Sequence, residues 1–416
     1  MSLRGLFAVV AVAISCAGCG GKTSLFSGAK GPNQSNLPAY GVTPSGRNSG
    51  DSEPSGTGSA GIGFPLIATK NTTRVAGASP AEEAAQVAVA VFPSAAPGTH
   101  PTGVALAPTD DWQAAIASAS LMGSPFRAPI LLSGPGKLPA ATALALKLLA
   151  PTGERSLGGA QLIRIGDVPS AAGLHDATIG GGDPYAVAAS IDRFEARARG
   201  GESLNVVVAS GDHPAYAMPA AGWAAESGEP VLFVTSSSVP KATAQALEAH
   251  HHPRIYVLGP PSVISDSVLA QLRRYGTVKR VGGTDPASNS VAFAAYRDPP
   301  CPSGQPCAHI PHSFGWAIRS PGHAYVLMDD SDPLVAAAAA PLSSSGGYGP
   351  QLLLDNPNTL PRPVLNYFLD YATPGYTQEG PTAAVYNHGW LIGDVRSISA
   401  AVQAQVDSLL EVVPQR

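Results

Sequence analysis

From Arg74 onward the apolar residues come in short unbroken runs rather than in apolar/polar alternation. Val104-Ala-Leu-Ala107, Val206-Val-Val-Ala209 and Tyr325-Val-Leu-Met328 are three such runs, and an acidic turn follows each. An alanine-rich stretch then leads to a second run, at Pro129-Ile-Leu-Leu132, Pro230-Val-Leu-Phe233 and Pro350-Gln-Leu-Leu-Leu354. Next come Leu138-Pro139, Val239-Pro240 and Leu360-Pro361. Proline in the first turn of a helix sacrifices no intrahelical hydrogen bond, so these pairs mark helix starts. A third run ends in glycine at Gly166, Gly259 and, less cleanly, Gly393. Continuous apolar runs separated by helical stretches describe parallel strands covered on both faces.

The whole pattern occurs three times. Arg74-Val-Ala-Gly77-Ala-Ser-Pro80, Thr178-Ile-Gly-Gly181-Gly-Asp-Pro184 and Arg280-Val-Gly-Gly283-Thr-Asp-Pro286 open the copies, and a helical stretch follows each. The final helix is clearest over residues 262–275 and 397–412. A repeat of this kind predicts three doubly wound α/β modules of parallel sheet. We place them at residues 71–173, 174–277 and 278–416. The third is enlarged by an insertion around Cys301 and Cys307 and by a loop over residues 343–349.

The first seventy residues follow a different rule. A positive start at Arg4 and the apolar stretch from Gly5 to Ser15 have signal-peptide form. Cys16-Ala-Gly-Cys19-Gly resembles the lipobox of bacterial lipoproteins, with Cys16 offering the alternative frame. That resemblance implies a signal peptide over residues 1–18 and acylation of Cys19, hence a membrane lipid anchor. Residues 19–70 are rich in Gly, Ser and Pro without apolar periodicity, which predicts a flexible tether with a mean reach of roughly 35–45 Å.

Composition narrows the function. Among 416 residues, 25 Lys and Arg stand against 29 Asp and Glu, and charged residues make up 13%. This excludes a polybasic nucleic-acid binder and a highly charged disordered chain. No later apolar run is long enough for a polytopic membrane protein. Beyond the signal only Cys301 and Cys307 remain. Their spacing in a Pro/Gly-rich loop predicts a disulfide in an oxidising compartment, a metal site with His309 and His312 being the alternative.

The acidic turns hold the best candidate chemistry: Asp110 and Asp111, Asp212 and His213, and Asp329, Asp330 and Asp332. They fall beyond the carboxyl ends of the first strands, where open α/β sheets bind ligands. Carboxylates there suit acid/base work or Ca²⁺, or they cap the next helix by accepting its free N–H groups. The run His250-His251-His252 invites a metal reading, but neighbouring side chains diverge on helix and strand alike. Gly134-Pro-Gly-Lys137 lacks the spacing of a phosphate loop, and neither G-x-S-x-G nor H-E-x-x-H occurs.

The order Arg-apolar-x-Gly, helix, strand, acidic turn, alanine-rich helix, Pro-Ile-Leu-Leu, helix and strand-Gly resembles the type 2 cell-wall-binding repeat of bacterial surface proteins. Pro129-Ile-Leu-Leu132 is its best-preserved motif. The resemblance implies Rossmann-like or toprim-like modules packed about a pseudo-threefold axis. It also implies non-covalent binding of an anionic wall polysaccharide or teichoic-acid-like polymer, with no catalysis and no cofactor. Where the family pattern has Arg after the opening glycine, this chain has Pro80, Pro184 and Pro286. The polymer-binding candidates are Asp110, Asp111, Asp212, His213, Asp330 and Asp332. The expectation is a non-catalytic cell-envelope lipoprotein. A transporter-type solute-binding lipoprotein and an exported hydrolase are the alternatives.

Overall fold

A computed structural model describes residues 67–299, 314–345, 347–376 and 380–414. Cys16, Cys19, Cys301, Cys307, His309 and His312 lie outside the described residues, as do the signal and most of the tether. The described chain begins with β1 (Ile67–Ala68), β2 (Thr72–Val75) and α1 (Pro80–Val91). It continues through β3 (Val104–Pro108), α2 (Trp112–Ala117), β4 (Ile130–Ser133), α3 (Ala140–Leu149), β5 (Leu162–Ile165) and β6 (Asp176–Ile179). After α4 (Pro184–Arg199) come β7 (Asn205–Ser210), α5 (Pro214–Ala217), α6 (Pro219–Ser227), β8 (Val231–Val234), α7 (Lys241–Ala249), β9 (Arg254–Leu258), α8 (Asp266–Leu272) and β10 (Thr277–Val281). After α9 (Pro286–Ala294) come β11 (Ala324–Asp329), α10 (Pro333–Ser344), β12 (Gln351–Leu354), α11 (Arg362–Tyr367), β13 (Gly375–Tyr376), β14 (His388–Ile392), α12 (Ala400–Leu409) and β15 (Val413–Pro414).

Among the described residues three sheets share one strand order: β4-β3-β5-β6, β8-β7-β9-β10 and β12-β11-β14-β2. All pairings in these series are parallel, and β1 adds to β2 antiparallel. The fold is the expected α/β type with repeated parallel sheets. The expectation of three strands per copy is too small by one. The opening motif is itself a strand, and it completes the sheet of the copy before it: β6 joins β5, β10 joins β9, and β2 joins β14 at the far end of the chain. These strands sit at or near a sheet edge with a partly exposed face, so they lack the unbroken apolar run that marks the other strands.

Each residue of the opening motif has a structural task. Val75, Ile179 and Val281 enter the core. Arg74, 1% exposed, donates from Nη1 to the Gly393 and Asp394 carbonyls, both at 2.9 Å, and from Nε and Nη2 to Gln403 Oε1. Arg280 does the same in the second sheet, donating to the Gly259 and Ile264 carbonyls and to Asp266. The first sheet has Thr178 at this position, and Arg164, directly opposite it on β5, supplies the guanidinium to the Val168 carbonyl at 2.7 Å. Gly77, Gly181 and Gly283 lie against the first turn of the following helix; a Cβ would stand 2.8 Å from Glu83 N, 2.6 Å from Val187 N and 2.6 Å from Asn289 N respectively. Proline then starts α1, α4 and α9, and Ser79, Asp183 and Asp285 cap them by accepting from backbone N–H groups.

The alanine-rich helices form the centre. The segment from α2 through the 3₁₀ turn at Ser118–Met122 packs on both α6 and α10, which pack on each other. Three equivalent elements in mutual contact give the pseudo-threefold arrangement. Ala114, Ala115, Ala220, Ala221 and the run Ala336–Ala340 are fully buried. A Cβ at Gly222 would approach Ser343 Oγ at 2.8 Å, and one at Gly123 would approach Gly228 N at 2.6 Å. One hydrophobic core runs through all three sheets, and a smaller one lies under α1 and α3 on the outer face of the first. Trp223 and Trp316 are buried in the larger core, while Trp112 and Trp390 pack against it partly exposed. No helix among the described residues is long and apolar enough to cross a membrane.

Replacing Arg74 by Ala leaves the buried Gly393 carbonyl, the part-buried Asp394 carbonyl and Gln403 without their donor. Urea unfolding is expected to show a loss of about 3 kcal/mol or more. Arg280→Ala, whose Asp266 partner is largely exposed, is expected to lose clearly less.

Candidate functional site

The first and third strands of each sheet are neighbours, and the chain leaves their carboxyl ends toward opposite sides. Each sheet therefore has a switch-point crevice, with the acidic turn on one side and the glycine that ends the third strand on the other.

The predicted residues line these turns but do not form one site. In the first, Asp110 is exposed, while Asp111 is half-buried and caps α2 by accepting from Ala114 N at 3.0 Å. Burial raises the Asp111 pKa, and Asp110 and Asp183 add to the shift. In the second, Asp212 and His213 are both exposed. Asp212 Oδ2 accepts from Ser236 N at 2.7 Å, which ties the ends of β7 and β8 together. The N–H groups of Asp212 and His213 donate to Ser210 Oγ, and the His213 side chain forms no cap to α5. In the third, Asp332 caps α10 through Leu334 N at 3.0 Å and Asp329 accepts from Ser331 N at 2.9 Å. The Asp330 pKa is raised by burial and by Asp329 and Asp355.

The crevices differ in how they are filled. In the second, the Tyr216 hydroxyl donates to the Thr284 carbonyl at 2.9 Å, bridging the gap, and Asn289 Nδ2 donates to the Tyr216 carbonyl. In the third, Val335 stands at the position of Tyr216, and a cavity of about 300 Å³ remains. Its lining includes Gly77–Pro80, Glu83, Asp332, Asp394 and Arg396. Glu83 is the group that reasoning on the acidic turns missed. It occupies the α1 position held by Val187 in α4 and Asn289 in α9, and that lone acid among apolar and neutral equivalents was the available signal. Glu83 is 5% exposed, and its Oε2 has no hydrogen-bond partner. Burial pushes its pKa up to about 8, helped by Asp332 and Asp394 and opposed by a hydrogen bond from the Gly77 amide. At neutral pH the carboxyl is therefore protonated, a neutral donor on the cavity wall. At the rim, Arg396 Nε and Nη2 both lie 2.7 Å from Asp394 Oδ2, and this lowers the Asp394 pKa.

The three histidines do not converge. His250 is buried with both ring nitrogens engaged, while His251 and His252 are exposed with φ of 51° and 75°.

Residues 178–269 match the family model of Cell wall binding domain 2 (CWB2). The similarity to CWB2 domains thus falls on the middle repeat. The match starts at the opening strand β6 and ends in α8, so it takes in a complete copy of the recurring pattern. The fold of the chain is shared with Cwp6 from Clostridium difficile, at a TM-score of 0.60 and 18% identity over 82% of this chain and 48% of that one. Cwp8 from Clostridium difficile is similar at a TM-score of 0.59 and 16% identity, over 82% of this chain and 52% of that one. The chain thus spans about half the length of the solved structures it resembles. No curated protein matches it.

The protonated Glu83 sets the sign of one pH response. Its folded pKa of about 8 lies above the ordinary 4.5, and burial also raises Glu195 on α4 to about 8. Both groups favour the fold below the unfolded pKa, and that contribution is lost as pH rises from about 4.5 toward 8. Unfolding free energies from urea titration are expected to fall over this range, by up to about 1.4 kcal/mol per pH unit for each group. Glu83→Gln is expected to flatten the profile by removing one of the two contributions.

Proposed function

We propose that this chain is a non-catalytic cell-envelope lipoprotein whose folded region binds an anionic wall glycopolymer. The observation that carries the reading is the CWB2 match over a complete repeat, joined to three sheets of one strand order. A non-catalytic role is supported by what the acidic turns do: Asp111 and Asp332 serve as helix caps and Asp212 ties two strand ends. The three equivalent sheets also differ from the two-lobed frame of a transporter-type solute-binding protein.

The polymer lies across the crevices, against the turns that carry Asp110, Asp111, Asp212, His213, Asp330 and Asp332. In the third crevice, anion binding is favoured by four groups. The starts of α1 and α10 bring positive helix ends to the cavity, Glu83 contributes a neutral donor instead of a repelling charge, and Arg396 stands at the rim. In this proposal acylated Cys19 holds the protein on the membrane, residues 19–70 carry the folded region into the wall, and Cys301 and Cys307 close a disulfide. The modules are bounded at 71–173, 174–277 and 278–416.

Co-sedimentation with purified wall tests the reading. The protein is expected to pellet with intact sacculi and to remain in solution once their anionic secondary polymers are stripped. Equal retention on stripped wall would sink the proposal. Arg396→Glu is expected to weaken retention about fivefold or more, through loss of a rim cation. Glu83→Gln is expected to bind like the wild type at pH 7 and to outbind it above pH 8.

A further inference from the structure

A second polar cluster stands apart from the crevices. Asp192 lies in α4, Glu202 in the loop just after it, and His250 at the C-cap of α7. One donor atom from each lies within 4.8 Å of the other two, and among the described residues this is the one group of His, Cys, Asp and Glu that meets a metal-ligand spacing. His250 Nε2 is 2.8 Å from Asp192 Oδ2 and 4.0 Å from Glu202 Oε2.

The chemistry of His250 makes the cluster informative. Its Nδ1 lies 2.8 Å from the Ser203 carbonyl oxygen, which can only accept, so Nδ1 carries the proton. In the neutral ring Nε2 then presents a lone pair to a carboxylate, and two acceptors at 2.8 Å require a cation or a second proton between them. Asp192 is 3% exposed and its other oxygen, Oδ1, has no partner. A ligating histidine is normally held through its second ring N–H by a backbone carbonyl in this way. The separations of 2.8 and 4.0 Å also bracket the roughly 3.3 Å between ligand atoms in a tetrahedral site with metal–ligand bonds near 2.0 Å. We infer that Asp192, Glu202 and His250 bind one zinc-class divalent ion through two carboxylate oxygens and Nε2. Glu202 is exposed, so the fourth position opens to solvent and to the cavity of about 370 Å³ that Glu202 and Ser203 help to line. The ion staples the middle of α4 and the loop after it to the end of α7.

Calorimetric titration of ZnCl₂ into the chelator-treated full chain tests this, with no dependence on polymer binding. One zinc per chain is expected, accompanied by a rise in Tm. His250→Gln and Asp192→Asn are expected to weaken binding at least about a hundredfold, and Glu202→Gln about tenfold. Glu202 is exposed, so its variant keeps the comparison valid if the buried substitutions unfold the chain. The double variant His251→Ala/His252→Ala is expected to bind like the wild type. No zinc uptake by the wild type means that a proton shared by His250 and Asp192 fills the site, and this overturns the inference. Equal uptake by wild type and Glu202→Gln, or loss of uptake in the His251/His252 variant, overturns it as well.

Discussion

The pairing of Thr72–Val75 with His388–Ile392 joins the two ends of the described chain, and the rest of the architecture depends on it. The first and second sheets take their fourth strand from the stretch that follows them. The third takes its fourth strand from the beginning of the described chain. Helix α12 and the turn after it fasten that strand and the residues just before it: Arg74 and Thr72 both bond Gln403, Asn71 bonds Asp407, and Lys70 pairs with Glu411. After each fourth strand, α1, α4 and α9 pack on the next sheet, against β4, β8 and β12. Each boundary between repeats is therefore crossed by a strand and its helix, and separating the repeats would break a ladder of backbone hydrogen bonds.

A closed ring leaves little room at its centre. Mutual contact among α2, α6 and α10 requires side chains short enough for three backbones to converge, which accounts for the runs of alanine and for the glycines at 123, 222 and 228. Burial of whole helices also explains the low share of charged residues, because few helix faces in the interior meet water. Chemistry is displaced outward, to the carboxyl ends of the strands and to the outer helix ends.

The polar groups at those ends divide by task. Ser79, Asp111, Asp183, Asp285 and Asp332 satisfy helix N–H groups, and the arginines of the opening motif satisfy loop carbonyls. Glu83 is different, because its buried carboxyl oxygen faces a cavity that Val335 leaves open where Tyr216 closes the equivalent space. Three repeats that share a backbone thus offer three unequal crevices, and the difference rests on single side chains.

Strand type, helix starts and the threefold recurrence were legible in the residues, because buried parallel strands need unbroken apolar runs and helix starts need caps and prolines. The acidic turns were found for the same local reason. The fourth strands were not, since Asp176–Ile179 and Thr277–Val281 lie at sheet edges and carry polar residues on their exposed faces. Their partners are also chosen by the sheet beyond them in space, not by their neighbours in the chain. Nor did the residues reveal that Glu83 would be buried and protonated, or that His250 would meet Asp192 and Glu202 rather than His251 and His252. By itself the sequence determined the units and their internal order, which follow from short-range hydrophobic patterning. Only the tertiary structure decided how the ring closes and which polar groups share a site, because these depend on contacts between residues hundreds of positions apart and on the desolvation such contacts impose.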